Sequence, residues 1–333
     1  MVFIFAKRLI KLNFGDIIKI QKKRGLKIMV FTTTLNQMLM FFGIMILGFI
    51  LRRKNVVPEN ADVSLSKVLT LVFSPALLLK TFISNFNIGT IVEKSYILIV
   101  ATVLVFILIF AGTALANLFA MNRYKKYIYT YSFIIPNMGY MAQPLTLAVF
   151  GEEALFDLLI FSIPFYVYIY SVGFARLNPA NDKVSLKNLV NPLFITMGIA
   201  IILGLLRVPM PAFVETSLST LSACIGPVAM LLTGMVIGKY DLRDMVASGR
   251  VYIASLIRLI AIPGIVVYAL KAIGLPSYIY MTTLCVLAMP MGLNTIVFPA
   301  AFGGDTKPGA SMALISSILG IITIPIMFAI FMA

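Results

Sequence analysis

The stretch IIPNMGYMAQPL, residues 134–145, lies inside an otherwise apolar run from Ile128 to Phe150. Crossing a bilayer takes roughly 20 apolar residues, so the run is long enough to span one. Its middle nevertheless carries Pro136, Asn137, Gly139, Gln143 and Pro144. A proline inside a helix removes a backbone hydrogen bond and clashes with the preceding turn, at about 3 kcal/mol. Lipid offers no water to the freed carbonyl. Such a break is tolerated only where protein or a water-filled cavity surrounds it.

The rest of the chain says that lipid is the solvent. Of its 333 residues, 61% are hydrophobic and 12% charged, with a mean hydropathy of +1.02. A soluble domain is about half apolar and a quarter charged. This chain has more apolar surface than its own core can hide, which makes it a multi-pass membrane protein. Spans are read at 31–51, 64–84, 95–121, 127–150, 155–176, 190–207, 214–238, 250–271, 278–302 and 310–332. The expected fold is therefore all-α and polytopic, with about ten transmembrane helices.

Composition also excludes function classes. There is no histidine, the commonest transition-metal ligand and general base. Cys224 and Cys285 sit in apolar segments and read as small buried hydrophobes. No HExxH, Walker or GxGxxG pattern occurs. No enzyme, cofactor or metal site is expected. The net charge of +15 would suggest nucleic acid in a soluble protein. Here most cations flank spans, so they read as topology and lipid contact, with no nucleic-acid partner.

Loop charges set the orientation. Arg52, Arg53, Lys54, Arg123, Lys125, Lys126, Arg176, Lys183, Lys187, Lys239, Arg243, Arg250 and Lys307 follow odd-numbered spans. Only Lys94, Arg207 and Lys271 follow even-numbered ones. The positive-inside rule places the first set in the cytoplasm. The expectation is a plasma-membrane protein whose central loop, 178–189, is cytoplasmic and whose C-terminus is extracytoplasmic. Residues 1–28, rich in Lys and Arg, would then lie outside against the rule. Three readings stand: an extension that is not native, with Met29 as the start; a basic helix lying on the membrane; or an element that reorients the chain. The first is favoured. Residues 29–177 and 190–333 form the two halves.

An odd number of spans per half gives the halves opposite orientation, the geometry of an inverted repeat. SPALLL (74–79) resembles GPVAMLL (226–232), and Phe150-Gly151 and Phe302-Gly303 recur at the same offset as Pro75 and Pro227. The ninth span holds PMGLNTIVFP, with Pro290, Gly292, Asn294 and Pro299, as the fourth holds PNMGYMAQP. Broken helices at matching positions of two halves point to a transport site near the bilayer midplane. The break in residues 134–145 thus exposes half-helix ends there.

These motifs resemble the auxin efflux carrier family, which includes plant auxin exporters and prokaryotic permeases. PNMGYMAQPL looks like the fourth-span motif of the exporters, and AMPMGLNTIVFPAAFGGD (288–305) is similar to the family's ninth span and its exit. The similarity runs from about residue 30 to the end. The plant exporters carry a proline near the place of Thr295, whereas this chain has Pro299, and its central loop is short. The resemblance implies two inverted repeats of five spans, with the broken fourth and ninth crossing at mid-membrane. It implies a scaffold of spans one, two, six and seven, and a mobile unit of the rest. Organic anions are the substrates it implies, and a homodimer is left open.

The site residues read from the sequence agree with an anion. Half-helix N-termini carry unpaired N–H groups and about half a positive charge each. Asn137, Gln143 and Asn294 add amide donors, with Gly139 in the same turn; interhelical bonding is the alternative role for the amides. Arg258 lies inside span eight and reads as a substrate contact or as a side chain snorkelling to the interface. Lys80 reads as snorkelling. Asp157 falls at the start of span five, and the other carboxylates fall in loops, at span ends or in the extension. Their absence from mid-membrane argues against cation exchange. An alternating-access organic-anion carrier is the first reading. A sodium-coupled symporter of bile-acid-transporter design and a channel are the alternatives.

Overall fold

The computed structural model describes residues 14–120, 122–178, 184, 186–301 and 304–331. They are almost wholly helical, and the one extended pairing among them is an isolated bridge between Pro136 and Met291.

Helix α1, Phe14–Arg53, has 40 residues and so runs ~60 Å at 1.5 Å per residue. Its apolar, membrane-length part is Lys27–Arg53. Residues 14–28 thus continue into the first span without a break, and residues 1–13 lie outside the described ones. α2 is Ala61–Asn85 and α3 is Ile88–Phe119, opened by a capping box between Asn87 and Thr90. α4 is Arg123–Ile134, capped by the Asn122 side chain. The helical run Met138–Leu177 divides at Gly151, whose φ of 84° suits glycine, into α5 (138–150) and α6 (152–177). α7 is Pro192–Leu205, capped by Asn191. α8 is Ala212–Ile237, α9 the short Leu242–Val246, and α10 Gly249–Ala272. α11 is Ser277–Leu287, α12 Asn294–Ala301 and α13 Lys307–Phe331.

Proline leaves a common signature in these helices. π-turns at Leu69–Phe73, Met138–Ala142 and Ile257–Ala261 precede Pro75, Pro144 and Pro263. In each, the N–H just before the proline reaches back five residues: Ser74 to Leu69, Gln143 to Met138, Ile262 to Ile257. The widened turn makes room for the ring and re-engages carbonyls that proline cannot serve.

Two helix pairs pack backbone to backbone. α1 lies on α8, and a β-carbon at Gly48 or Gly234 would overlap the carbonyl of Leu231 or Met45. α7 lies on α2, where a β-carbon at Gly204 would come within 2.9 Å of the Phe82 and Phe86 carbonyls. Small residues allow such approach, on which helix association in lipid depends. α3 packs on α4, α5 and α6, while α10 packs on α11 and α13. Phe106, Phe110 and Leu118 of α3 stay exposed, as does Ile265 of α10. Outward apolar side chains of this kind face lipid.

The fold is that of an all-α polytopic membrane protein. Among the described residues, 7 helices are long and apolar enough to cross a membrane. The difference from the ten spans of the sequence reading has local causes. Met138–Leu177 counts as one helix across the Gly151 kink. The halves of the two broken crossings are too short to count, and Pro192–Leu205 has only 14 residues.

Candidate functional site

The two breaks meet. α4 ends at Ile134, Ile135 turns extended, and the helix restarts at Met138. α11 ends at Leu287 and α12 starts at Asn294. Between them the chains run antiparallel: the Asn137 N–H donates to the Pro290 carbonyl at 2.8 Å, and the Gly292 N–H to the Ile135 carbonyl at 3.4 Å. The Met291 N–H donates to Ser316 Oγ of α13 at 3.1 Å. Backbone groups released by one break are thereby satisfied by the other and by a neighbouring helix, as a membrane interior demands. Gly292 suits this approach, because a β-carbon there would sit 3.3 Å from the Pro136 carbonyl oxygen, a tighter contact than side chains usually make.

A cavity opens beside the crossing, with an empty volume of about 630 Å³ including its mouth. Asn137, Gly139, Gln143, Gly292 and Asn294 line it, as does Pro136. The three amides differ. Asn294 Nδ2 donates to the buried Tyr131 hydroxyl at 2.8 Å, and Gln143 Nε2 to the Tyr166 hydroxyl at 2.9 Å. The Asn137 side chain is buried, lines the cavity and makes no hydrogen bond among the described residues. The first N–H groups of a helix have no intrahelical partner. Those of Gly139 and Tyr140 therefore stand at the mouth of α5, where both residues line the cavity. α12 begins on the same cavity with Leu293 and Asn294. No Asp, Glu, Lys or Arg lines it among the described residues.

The remaining residues singled out in the sequence take other places. Pro144 follows the π-turn and packs against Gly226 of α8. Pro290 supplies the carbonyl that Asn137 uses, and Pro299 lies inside α12. Arg258 does not line the cavity. It is fully buried on the π-turn of α10, where Nη1 donates to the Leu287 carbonyl at 2.6 Å. It therefore neither snorkels nor reaches the crossing pocket. Phe302-Gly303, the second member of one repeat pair, lies outside the described residues.

Sequence reasoning passed over several groups. Ser74 lines the cavity together with Thr70, and Tyr140, Tyr166 and Tyr170 complete its wall. Tyr166 and Tyr170 stand four apart on one helix, the spacing of a single face, which is the signal available in the sequence. Asp157, read as a span-end carboxylate, is buried and pairs with Lys94 at 2.9 Å. Lys80, read as snorkelling, pairs with Glu152 at 2.7 Å. A second, largely apolar cavity lies on the far side of Gln143, between Phe41, Leu77, Pro144 and Gly226.

Broken helices thus pair inside a polytopic helical bundle, at a cavity that no carboxylate lines among the described residues, and the family that the chain matches makes it a membrane transporter. A family model described as membrane transport protein matches residues 33–185 and 175–328. The chain belongs to that family, the family of the auxin efflux carriers. No curated protein matches the chain.

Proposed function

We propose that the protein is a secondary carrier that moves a small organic anion, a carboxylate, by alternating access at the crossing. One observation carries this reading: the paired breaks aim two helix N-termini and an Asn137 amide that is unbonded among the described residues at one cavity that no described carboxylate lines. N-termini and amide N–H groups together recognise an anion.

The architecture that supports it is ten spans in two inverted halves. The exchange of partners fits that symmetry, since α1 packs on α8 as α7 packs on α2. The spans one, two, six and seven of the scaffold are then α1, α2, α7 and α8. With 178–189 cytoplasmic, the Thr70 and Tyr170 side of the cavity faces inward, and the apolar cavity beyond Gln143 faces outward.

The test is uptake into liposomes holding the purified protein. The panel contains dicarboxylates and aromatic acids, with and without a sodium gradient. Saturable uptake of at least one acid is expected. Flux that does not saturate, or no flux of any acid in either direction, would overturn the carrier reading. A strict sodium requirement would replace it with the symporter.

A further inference from the structure

Four half-helix ends meet at the crossing, and their fields oppose one another. The N-termini of α5 and α12 contribute about +0.5 charge each, and the C-termini of α4 and α11 about −0.5 each. Left so, the sum is close to zero and the crossing would have little preference for an anion over a neutral molecule of the same shape. Arg258 breaks the balance. Its guanidinium donates to the Leu287 carbonyl, the last one of α11. It is 0% exposed, and among the described residues no carboxylate pairs with it. Among the described residues its Nε and Nη2 have no hydrogen-bond partner, and neither has the buried Ser255 Oγ one turn earlier. A charge that nothing neutralises projects its field through the low-dielectric interior.

We infer that Arg258 sets the charge selectivity of the crossing without touching the substrate: it more than cancels the negative end of α11, so that the four ends and the guanidinium together carry a net charge of about +1. The inference rests on the organic-anion reading and says which residue makes the site anionic in preference. The neighbouring groups agree with it. α13 packs against the π-turn that carries Arg258, and no carboxylate occurs along α13. The asymmetry is also informative, because among the described residues no cation bonds the α4 end, and its Ile135 carbonyl is served by the Gly292 N–H. Arg258 is thus a positioning and field residue.

The experiment compares affinity for a carboxylate with affinity for its primary amide. Malate and phenylacetate and their amides serve as probes on purified, monodisperse protein. A unit charge acting over roughly 10 Å at an effective dielectric of about 20 alters anion affinity on the order of tenfold. Arg258→Gln keeps a donor for Leu287 but removes the charge. It is expected to weaken carboxylate binding by that factor and to leave amide binding unchanged. Arg258→Lys is expected to keep the wild-type ratio. A folded Arg258→Gln protein with an unchanged ratio overturns the inference. Should that variant not fold, Ser255→Asp sets a carboxylate beside the guanidinium and is expected to lower the ratio in the same way; an unchanged ratio there overturns it equally. Should the wild type bind neither malate nor phenylacetate, the acid that it takes up in the liposome panel and its amide replace them; if it takes up no acid, the carrier reading falls first, and this inference falls with it.

Discussion

At the scale of the residue, the three amides of the crossing part company. Asn294 and Gln143 each spend a donor on a tyrosine hydroxyl, whereas Asn137 leaves its side chain to the cavity. The expected consequences differ accordingly. Asn137→Ala should cost carboxylate binding roughly 1.5–3 kcal/mol, the range for a hydrogen bond to a charged group, or about 10- to 150-fold in affinity. The yield of folded protein should hold, and Asn137→Asp should be worse because it sets like charge beside the substrate. Asn294→Ala strips the buried Tyr131 hydroxyl of its donor, so its main effect should be on stability, at about 1–3 kcal/mol. Ligand titration and thermal unfolding of the same preparations separate the two; equal affinity loss without destabilisation in Asn294→Ala would refute the division. The sequence made all three amides visible, because polar residues bracketed by prolines stand out in an apolar span. It could not rank them, since the partners of Asn294 and Gln143 are tyrosines 163 and 23 positions away. The place of Arg258 was hidden for the same reason: its acceptor is a backbone carbonyl 29 residues on, which no side-chain pattern announces.

At the scale of the element, hydropathy located the helices and charge separated them, but neither reports how closely two helices approach. The break at residues 134–145 was legible because proline acts on its own backbone. Its pairing with 290–292 was legible only as a repeated motif, and the hydrogen bonds that join the two needed the fold. The π-turns before Pro75, Pro144 and Pro263 are local answers to a local clash, whereas Pro164 and Pro325 sit inside their helices without one. Glycine packing is different, because most glycines in a span are simply small. Gly198 of α7 has open space around it, whereas Gly234 of α8 lies against the Met45 carbonyl of α1. Gly234→Leu is therefore expected to force α1 from α8 and abolish monodisperse protein, while Gly198→Leu should leave the elution profile unchanged. Size-exclusion chromatography of both variants checks this, and a well-behaved Gly234→Leu protein would show that the α1–α8 contact is looser than the backbone approach implies.

At the scale of the whole molecule, the carrier reading requires one group of helices to move against another. Its first premise is sidedness: a reporter fused at Ala333 that is active only outside the cytoplasm is expected from the loop charges, and cytoplasmic activity would invert the molecule. Its second premise is motion, and the ion pairs offer a handle on it. Lys80 lies on α2, in the proposed scaffold, and Glu152 begins α6, in the proposed mobile unit, directly after the Gly151 kink. A partly exposed pair of this kind contributes little stability, about 0–1 kcal/mol, so replacing it should not harm the fold. If the units slide or rock during each cycle, Lys80 and Glu152 must part. Lysine and glutamate reach further than a disulfide allows, so the cross-link should be a thiol-reactive spacer bridging Lys80→Cys and Glu152→Cys, with a reducible bond at its centre. Cys224 should be replaced by serine, whereas the buried Cys285 can remain. Cross-linking is expected to stop uptake, and reduction to restore it. Lys239 and Asp62, paired at 2.7 Å and both in the proposed scaffold, supply the control: the same spacer between cysteines there should leave uptake intact. Full flux through protein cross-linked between residues 80 and 152 would mean that the substrate passes without relative motion of the two units, and the pore-like alternative would take the place of alternating access.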